Sequence, residues 1–105
     1  MLGFFKRLFG GSSPELAEAL NAGAYLVDVR TVAEFKGGSA PGAVNIPLQS
    51  IQSNLNKFKG KKQIVLFCQS GARSGQAKRI LNQNGIENVI NGGGVFSVIR
   101  AMKNG

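Results

Sequence analysis

The sequence predicts an α/β fold, a small parallel β-sheet flanked by helices on both faces. Three observations carry this. Residues Ala24-Tyr25-Leu26-Val27-Asp28-Val29 and Gln63-Ile64-Val65-Leu66-Phe67 are short, nearly unbroken apolar runs, the pattern of strands buried on both faces. Between and after them lie segments with apolar residues at helical spacing, as crossovers between parallel strands require. The length, 105 residues with 43% hydrophobic and 17% charged side chains, suits one packed core and not two.

The elements follow in order. Residues 1–12 read as a basic and apolar N-terminal segment, expected to be mobile, and residues 13–105 as one domain. Ser12-Ser13-Pro14-Glu15 opens a helix: proline suits the first turn, and Ser12 with Glu15 fits a capping box. Leu16, Ala17, Ala19 and Leu20 form its apolar face, and Asn21-Ala22-Gly23 ends it. After the first strand, Thr31 and Glu34 offer a second capping box for a short helix that stops at Gly37-Gly38. Val44-Asn45-Ile46 reads as a short strand closed by Pro47. Ile51, Leu55 and Phe58 are spaced for a helix over about residues 50–58, followed by a lysine-rich loop. The strand at 63–67 leads into the small-residue loop Cys68–Arg73. A helix from about Ser74 to Asn84 follows, with Gly85 as its left-handed cap. Glu87–Ile90 reads as a strand, Asn91–Gly94 as a turn, and Val95, Val98, Ile99 and Met102 as a closing helix.

Composition removes whole classes of chemistry. There is no histidine, so no Ser-His or Cys-His pair and no imidazole base. One cysteine cannot form an intramolecular disulfide, and with no histidine beside it cannot fill a structural zinc site. Charge is uneven. Residues 1–34 hold three basic and four acidic side chains, whereas residues 35–105 hold ten basic ones against Glu87 alone, a net +9. Such a field favours anions without choosing among them. The aromatic residues are not interleaved with the basic ones as a nucleic-acid stacking surface needs, so no nucleic acid is expected. No stretch approaches the roughly 20 apolar residues of a membrane span. The Lys6-Arg7 pair follows the first apolar residues, the reverse of a secretory signal, and leaves at most a weak membrane-surface contact. The expected location is the cytoplasm, where a lone thiol stays reduced.

Attention then falls on Cys68, which follows a buried strand and precedes a helix, where open parallel sheets place their ligands. A free cysteine is often only a small buried hydrophobe. Here the loop Gln69-Ser70-Gly71-Ala72 is small or polar and can curl its N–H groups toward one point. The following helix adds its unpaired N–H groups and positive dipole end. Arg73 adds charge and a fork suited to oxyanions. Together these favour a thiolate and cradle an anion. Ser70 and Ser74 can donate to bound sulfur or oxyanion, Ser74 alternatively capping the helix, and Gly71 serves backbone conformation. Asp28 and Arg30, at the end of the first strand, are expected as supporting framework. Arg30 is spaced for an ion pair with Glu34. The Cys-x4-Arg spacing is one residue shorter than the phosphate-enclosing Cys-x5-Arg of tyrosine phosphatases, which favours a thiol carrying one extra sulfur.

Four collinear segments make the chain resemble the single-domain rhodaneses, a family of sulfurtransferases. They are Asp28-Val29-Arg30 with Glu34-Phe35, Pro41–Pro47, Cys68–Ser74, and Asn91–Gly94. Ser74-Gly75-Gln76-Ala77-Lys78 with Ile80-Leu81 is similar to the small phage-shock-protein-E type. Ser39 stands where many members have histidine, and Phe96 and Val98 occupy the stretch where many have tryptophan. The resemblance implies a rhodanese-like fold and a sulfurtransferase working through a Cys68 persulfide, with residues 69–74 holding the persulfide and the donor. It implies no metal or organic cofactor. The donor it implies is a small thiosulfate-like anion. The acceptor it implies is cyanide or an external thiol such as glutathione, thioredoxin or a partner protein, because the chain holds no second cysteine. Two readings stay open beside it: a cysteine-based phosphatase or arsenate reductase on the same loop, and a non-catalytic rhodanese binding module.

Overall fold

The two apolar runs become the central strands of a four-stranded sheet in a computed structural model that describes residues 13–104. The expected N-terminal segment 1–12 lies outside the described residues. Strands β1 (Tyr25–Asp28) and β3 (Ile64–Cys68) pair in parallel, with Tyr25 opposite Ile64 and Asp28 opposite Phe67. The short β2 (Val44–Asn45) flanks β1, and β4 (Val89–Gly94) flanks β3, giving the order β2-β1-β3-β4 with every pairing parallel.

Strand alternation divides the core between two faces. Ile64, Leu66 and Cys68 face one side and pack with Ile51, Phe58, and Ala77 and Leu81 of the helix Ala72–Gln83. Val65 and Phe67 face the other side and pack with Leu16 and Ala19 of α1 (Pro14–Asn21) and with Val98 and Ala101 of the closing helix Val95–Asn104. Helices therefore cover both faces. In chain order they are α1, α2 (Val32–Lys36), α3 (Ala72–Gln83) and α4 (Val95–Asn104).

Local chemistry explains the helix starts. Ser13 caps α1, its Oγ accepting from the Leu16 N–H at 3.1 Å, one residue later than the expected Ser12. Ser12 lies outside the described residues. The Thr31–Glu34 capping box of α2 is formed in both directions. Gly85, at φ +81°, follows α3 as its left-handed residue. The lysines expected to coat a loop are exposed, with Lys61 Nζ 4.4 Å from the centre of the Tyr25 ring.

Two elements differ from expectation. The helix expected over 50–58 is two short 3-10 helices, Leu48–Ser50 and Gln52–Lys57. Ser53 Oγ and Asn54 Nδ2 both donate to the Ser50 carbonyl, at 3.2 and 2.7 Å, and Asn54 leaves helical geometry. Such side-chain bonds compete with the helical ladder. The apolar spacing still does its work, since Ile51 and Phe58 are fully buried. The expected turn at Asn91–Gly94 is instead the end of β4. Its pairing with β3 shifts register between Leu66, opposite Asn91, and Cys68, opposite Gly94. Glycine permits this close approach. A Cβ on Gly94 would sit 2.5 Å from the Gln69 carbonyl oxygen, and one on Gly92 3.0 Å from Val98.

Because backbone rather than a flexible side chain opposes Gly94, Gly94→Ala is expected to destabilise the fold by about 1–3 kcal/mol. Urea unfolding followed by circular dichroism measures this.

Candidate active site

Cys68 closes β3 rather than opening the loop after it, and the residue is 1% exposed. The chain turns at Gly71, whose φ of +102° glycine adopts without strain. α3 then begins at Ala72, two residues earlier than expected. This tight return aims backbone donors at the sulfur. The Gly71 N–H lies 3.0 Å from Sγ and the Ser74 N–H 3.4 Å, with Ser74 Oγ at 3.5 Å. No side chain caps α3, so its first amides remain available for such a role.

Two opposed effects set the thiol's acidity. Burial pushes the Cys68 pKa up. The hydrogen bonds of Ser74, through its hydroxyl and its N–H, and the amides of Ser70 and Gly71 outweigh that, leaving it below the ordinary thiol value. Arg73 adds a favourable charge toward Cys68. Of the loop amides expected to form a cradle, those of Ser70 and Gly71 act on the sulfur, and Ser74 acts from inside the helix, buried in its first turn, rather than as its cap. Gln69, Ser70 and Ala72 are exposed around it.

The charged residues pair differently from expectation. Arg30 does not reach Glu34. It folds back on Asp28, Nη2 to Oδ2 at 2.7 Å and Nε to both carboxylate oxygens at 3.0 Å. The reason is alternation: residues i and i+2 share a face of the extended chain, and here both are buried. Arg30 Nη2 also donates to the Gly38 carbonyl at 2.8 Å, and Ser39 Oγ donates to Asp28 Oδ2 at 2.8 Å. Asp28 and Arg30 therefore clamp the 38–39 segment beside the site, and Ser39 belongs to that clamp. Glu34 instead takes Arg73 in a two-pronged ion pair at 2.8 and 3.0 Å. The Arg73 guanidinium and the Thr31 N–H hold the Glu34 carboxyl down at about 2. Arg73 is thus engaged by a carboxylate, not presented as a free fork.

One residue of the surroundings was not anticipated as a site residue. Asn91, in β4, bonds to Gly93 two residues on and to Ser74 and Gly71 across elements, contacts that no local spacing announces. The glycines after it abut the cysteine loop. Beside the loop lies a cleft of about 450 Å³ lined in part by Arg30, Glu34, Ser39, Gln69, Phe96 and Ile99. Phe96, 67% exposed, forms its apolar wall. Among the described residues no three of the cysteine and acidic side chains gather closely enough to hold a metal ion.

The thiol thus ends a parallel strand and meets the N–H groups at the start of a helix. The family of rhodanese-like domains matches residues 12–100, and the chain belongs to it. The Bacillus subtilis protein YqhL is 41% identical over 73 residues, covering 70% of this chain and 58% of its own length. The thiosulfate sulfurtransferase PspE of Escherichia coli is 33% identical over 79 residues, covering 73% of this chain and 76% of PspE. The human single-domain sulfurtransferase TSTD1 superposes with a TM-score of 0.66 at 29% identity, covering 88% of this chain and 93% of that one. The resemblance to the small phage-shock-protein-E type holds, and the fold is the rhodanese fold. No helix among the described residues is long and apolar enough to cross a membrane.

The buried clamp has a measurable consequence. Arg30→Ala strands the Asp28 carboxylate without its charge partner and is expected to cost about 3–5 kcal/mol of stability, read from chemical denaturation.

Proposed function

We propose that the protein is a sulfurtransferase that passes a sulfane sulfur from a small thiosulfate-like anion, through a Cys68 persulfide, to an external acceptor. The observation that carries this reading is the convergence of the Gly71 and Ser74 N–H groups on Cys68 Sγ at the start of α3. Those donors favour the thiolate before reaction and suit a persulfide anion after it.

The reaction balances without an added oxidant. The Cys68 thiolate attacks the outer sulfur of thiosulfate. A bond forms between Sγ and that sulfur, while the bond to the sulfonate sulfur breaks and its electron pair leaves on sulfite. A second nucleophile, cyanide or the thiolate of glutathione, thioredoxin or a partner protein, then attacks the outer persulfide sulfur and releases the Cys68 thiolate. With one cysteine in the sequence, the chain supplies no internal thiol for this second step.

In this reading Gln69, Ser70, Gly71, Ala72 and Ser74 shape the persulfide pocket. Arg73 contributes charge at the sulfur while its partner Glu34 keeps the guanidinium in place. The donor and the acceptor approach through the cleft that meets the loop at Gln69. A reducing compartment such as the cytoplasm suits a free reactive thiol. The shorter loop, Cys-x4-Arg, disfavours phosphate as the substrate.

Incubation with thiosulfate followed by intact-protein mass spectrometry tests the proposal. The expected outcome is a gain of one sulfur atom, absent in Cys68→Ala and discharged by glutathione or cyanide. Absence of any gain with thiosulfate or mercaptopyruvate overturns it, as does turnover of an aryl phosphate without a persulfide.

A further inference from the structure

Asn91 sits on β4 and takes no part in the sulfur chemistry described above. Its side chain nevertheless ends on the residues that surround Cys68. Oδ1 accepts from Ser74 Oγ at 2.7 Å and from the Gly93 N–H at 3.0 Å, while Nδ2 donates to the Gly71 carbonyl at 3.0 Å. The orientation of the amide follows from its partners. The Gly71 carbonyl can only accept and the Gly93 N–H can only donate, so the nitrogen must face the former and the oxygen the latter. The Gly71 and Ser74 N–H groups lie 3.0 and 3.4 Å from Sγ.

We propose that Asn91 is a positioning residue for Cys68, tying β4 to the start of α3 so that the Gly71 and Ser74 donors stay aimed at the sulfur. The effect on the thiol stands on its own, and only its use in turnover rests on the sulfurtransferase reading. Asn91 also orders the one proton of the Ser74 hydroxyl. An amide oxygen can only accept, so at 2.7 Å that proton lies toward Asn91 and leaves a lone pair for the Cys68 S–H. When the thiol ionises, the hydroxyl turns and donates to the sulfur at the expense of its bond to Asn91, so the lowered midpoint rests on the positioned Gly71 and Ser74 amides and not on this bond. Asn91 Oδ1 keeps the Gly93 N–H throughout, so no polar atom is orphaned by the switch.

Charge does not confuse the test. The charged groups flanking the site are Arg73 of α3, paired with Glu34 of α2, and the Asp28–Arg30 pair at the end of β1. β4 carries no ionisable side chain. Lys57, Lys78 and Arg79, on the elements packed over the same face as Cys68, have partly or fully exposed side chains. None of these groups hydrogen-bonds Asn91. Asn91→Ala therefore alters the hydrogen bonds and no charge.

The experiment follows the rate of alkylation of Cys68 by iodoacetamide against pH in the full chain. The wild-type midpoint is expected below that of an ordinary thiol. In Asn91→Ala it should rise by about one unit, leaving about tenfold less thiolate at any pH well below both midpoints. Asn91→Leu keeps the approximate size of the side chain and adds no charge, but removes both the acceptor for Ser74 and the donor to the Gly71 carbonyl, so its midpoint should rise too. Asn91 is exposed, so the leucine variant is expected to fold, and it decides alone if the alanine variant does not. A folded variant with a lowered melting temperature but the wild-type midpoint overturns the proposal, because a merely structural asparagine would behave that way. Thiosulfate loading of the wild type is measured in parallel. A shifted midpoint in the variants together with no persulfide in the wild type would sink the sulfurtransferase reading and leave the role of Asn91 standing.

Discussion

Complete burial of β3 is the constraint on which the rest of the site depends. All five of its residues are buried, with alternate side chains committed to opposite faces of the sheet. The strand therefore carries the chain's one thiol into an environment that disfavours its ionised form. A sulfur there can act as an anion only if donors are brought to it. The turn at Gly71 does this, because it starts α3 close enough for the amides of Gly71 and Ser74 to reach Sγ. Packing and polar contact are thus joined at one residue: the same strand end that completes the core carries the thiol that those amides meet.

Charge around the cysteine is balanced locally although the chain is strongly basic. Asp28 with Arg30 and Glu34 with Arg73 form two closed pairs, one buried and one half-exposed, which together sum to zero. The buried pair satisfies itself and reaches out to Gly38 and Ser39, so it serves the shape of the rim. The half-exposed pair anchors the first turn of α3 to α2. Anion preference at the sulfur then comes chiefly from oriented N–H groups at short range. The net +9 of residues 35–105 acts at longer range, where salt screens it.

Much of the fold was legible because its signals are local. Apolar runs marked β1 and β3, Thr31 and Glu34 marked the start of α2, and the alternation of the two patterns implied parallel pairing. The 3-10 segment was misread as a helix because Ile51, Leu55 and Phe58 carry helical spacing, while the competing Ser53 and Asn54 bonds to Ser50 leave no such mark. Asn91-Gly92-Gly93-Gly94 has turn composition, yet it extends β4 because contact with Gln69 and Val98 leaves no room for side chains. Of the site, Cys68, its loop and the following helix could be read directly. The partner of each arginine could not, since Arg30 was matched to Glu34 by spacing alone.

By itself the sequence determined which chemistry is excluded. No histidine and one cysteine rule out imidazole catalysis and an internal disulfide, and the order of the apolar runs sets the one thiol at the end of a central parallel strand. Only the tertiary structure decided which groups surround it: that Arg73 is occupied by Glu34, that Arg30 turns back to Asp28, and that Asn91 arrives from the neighbouring strand. The physical reason is range. Propensity, capping and apolar periodicity act between residues a few positions apart, whereas these contacts join α2 to α3 and β4 to α3, elements that meet only after the sheet has assembled.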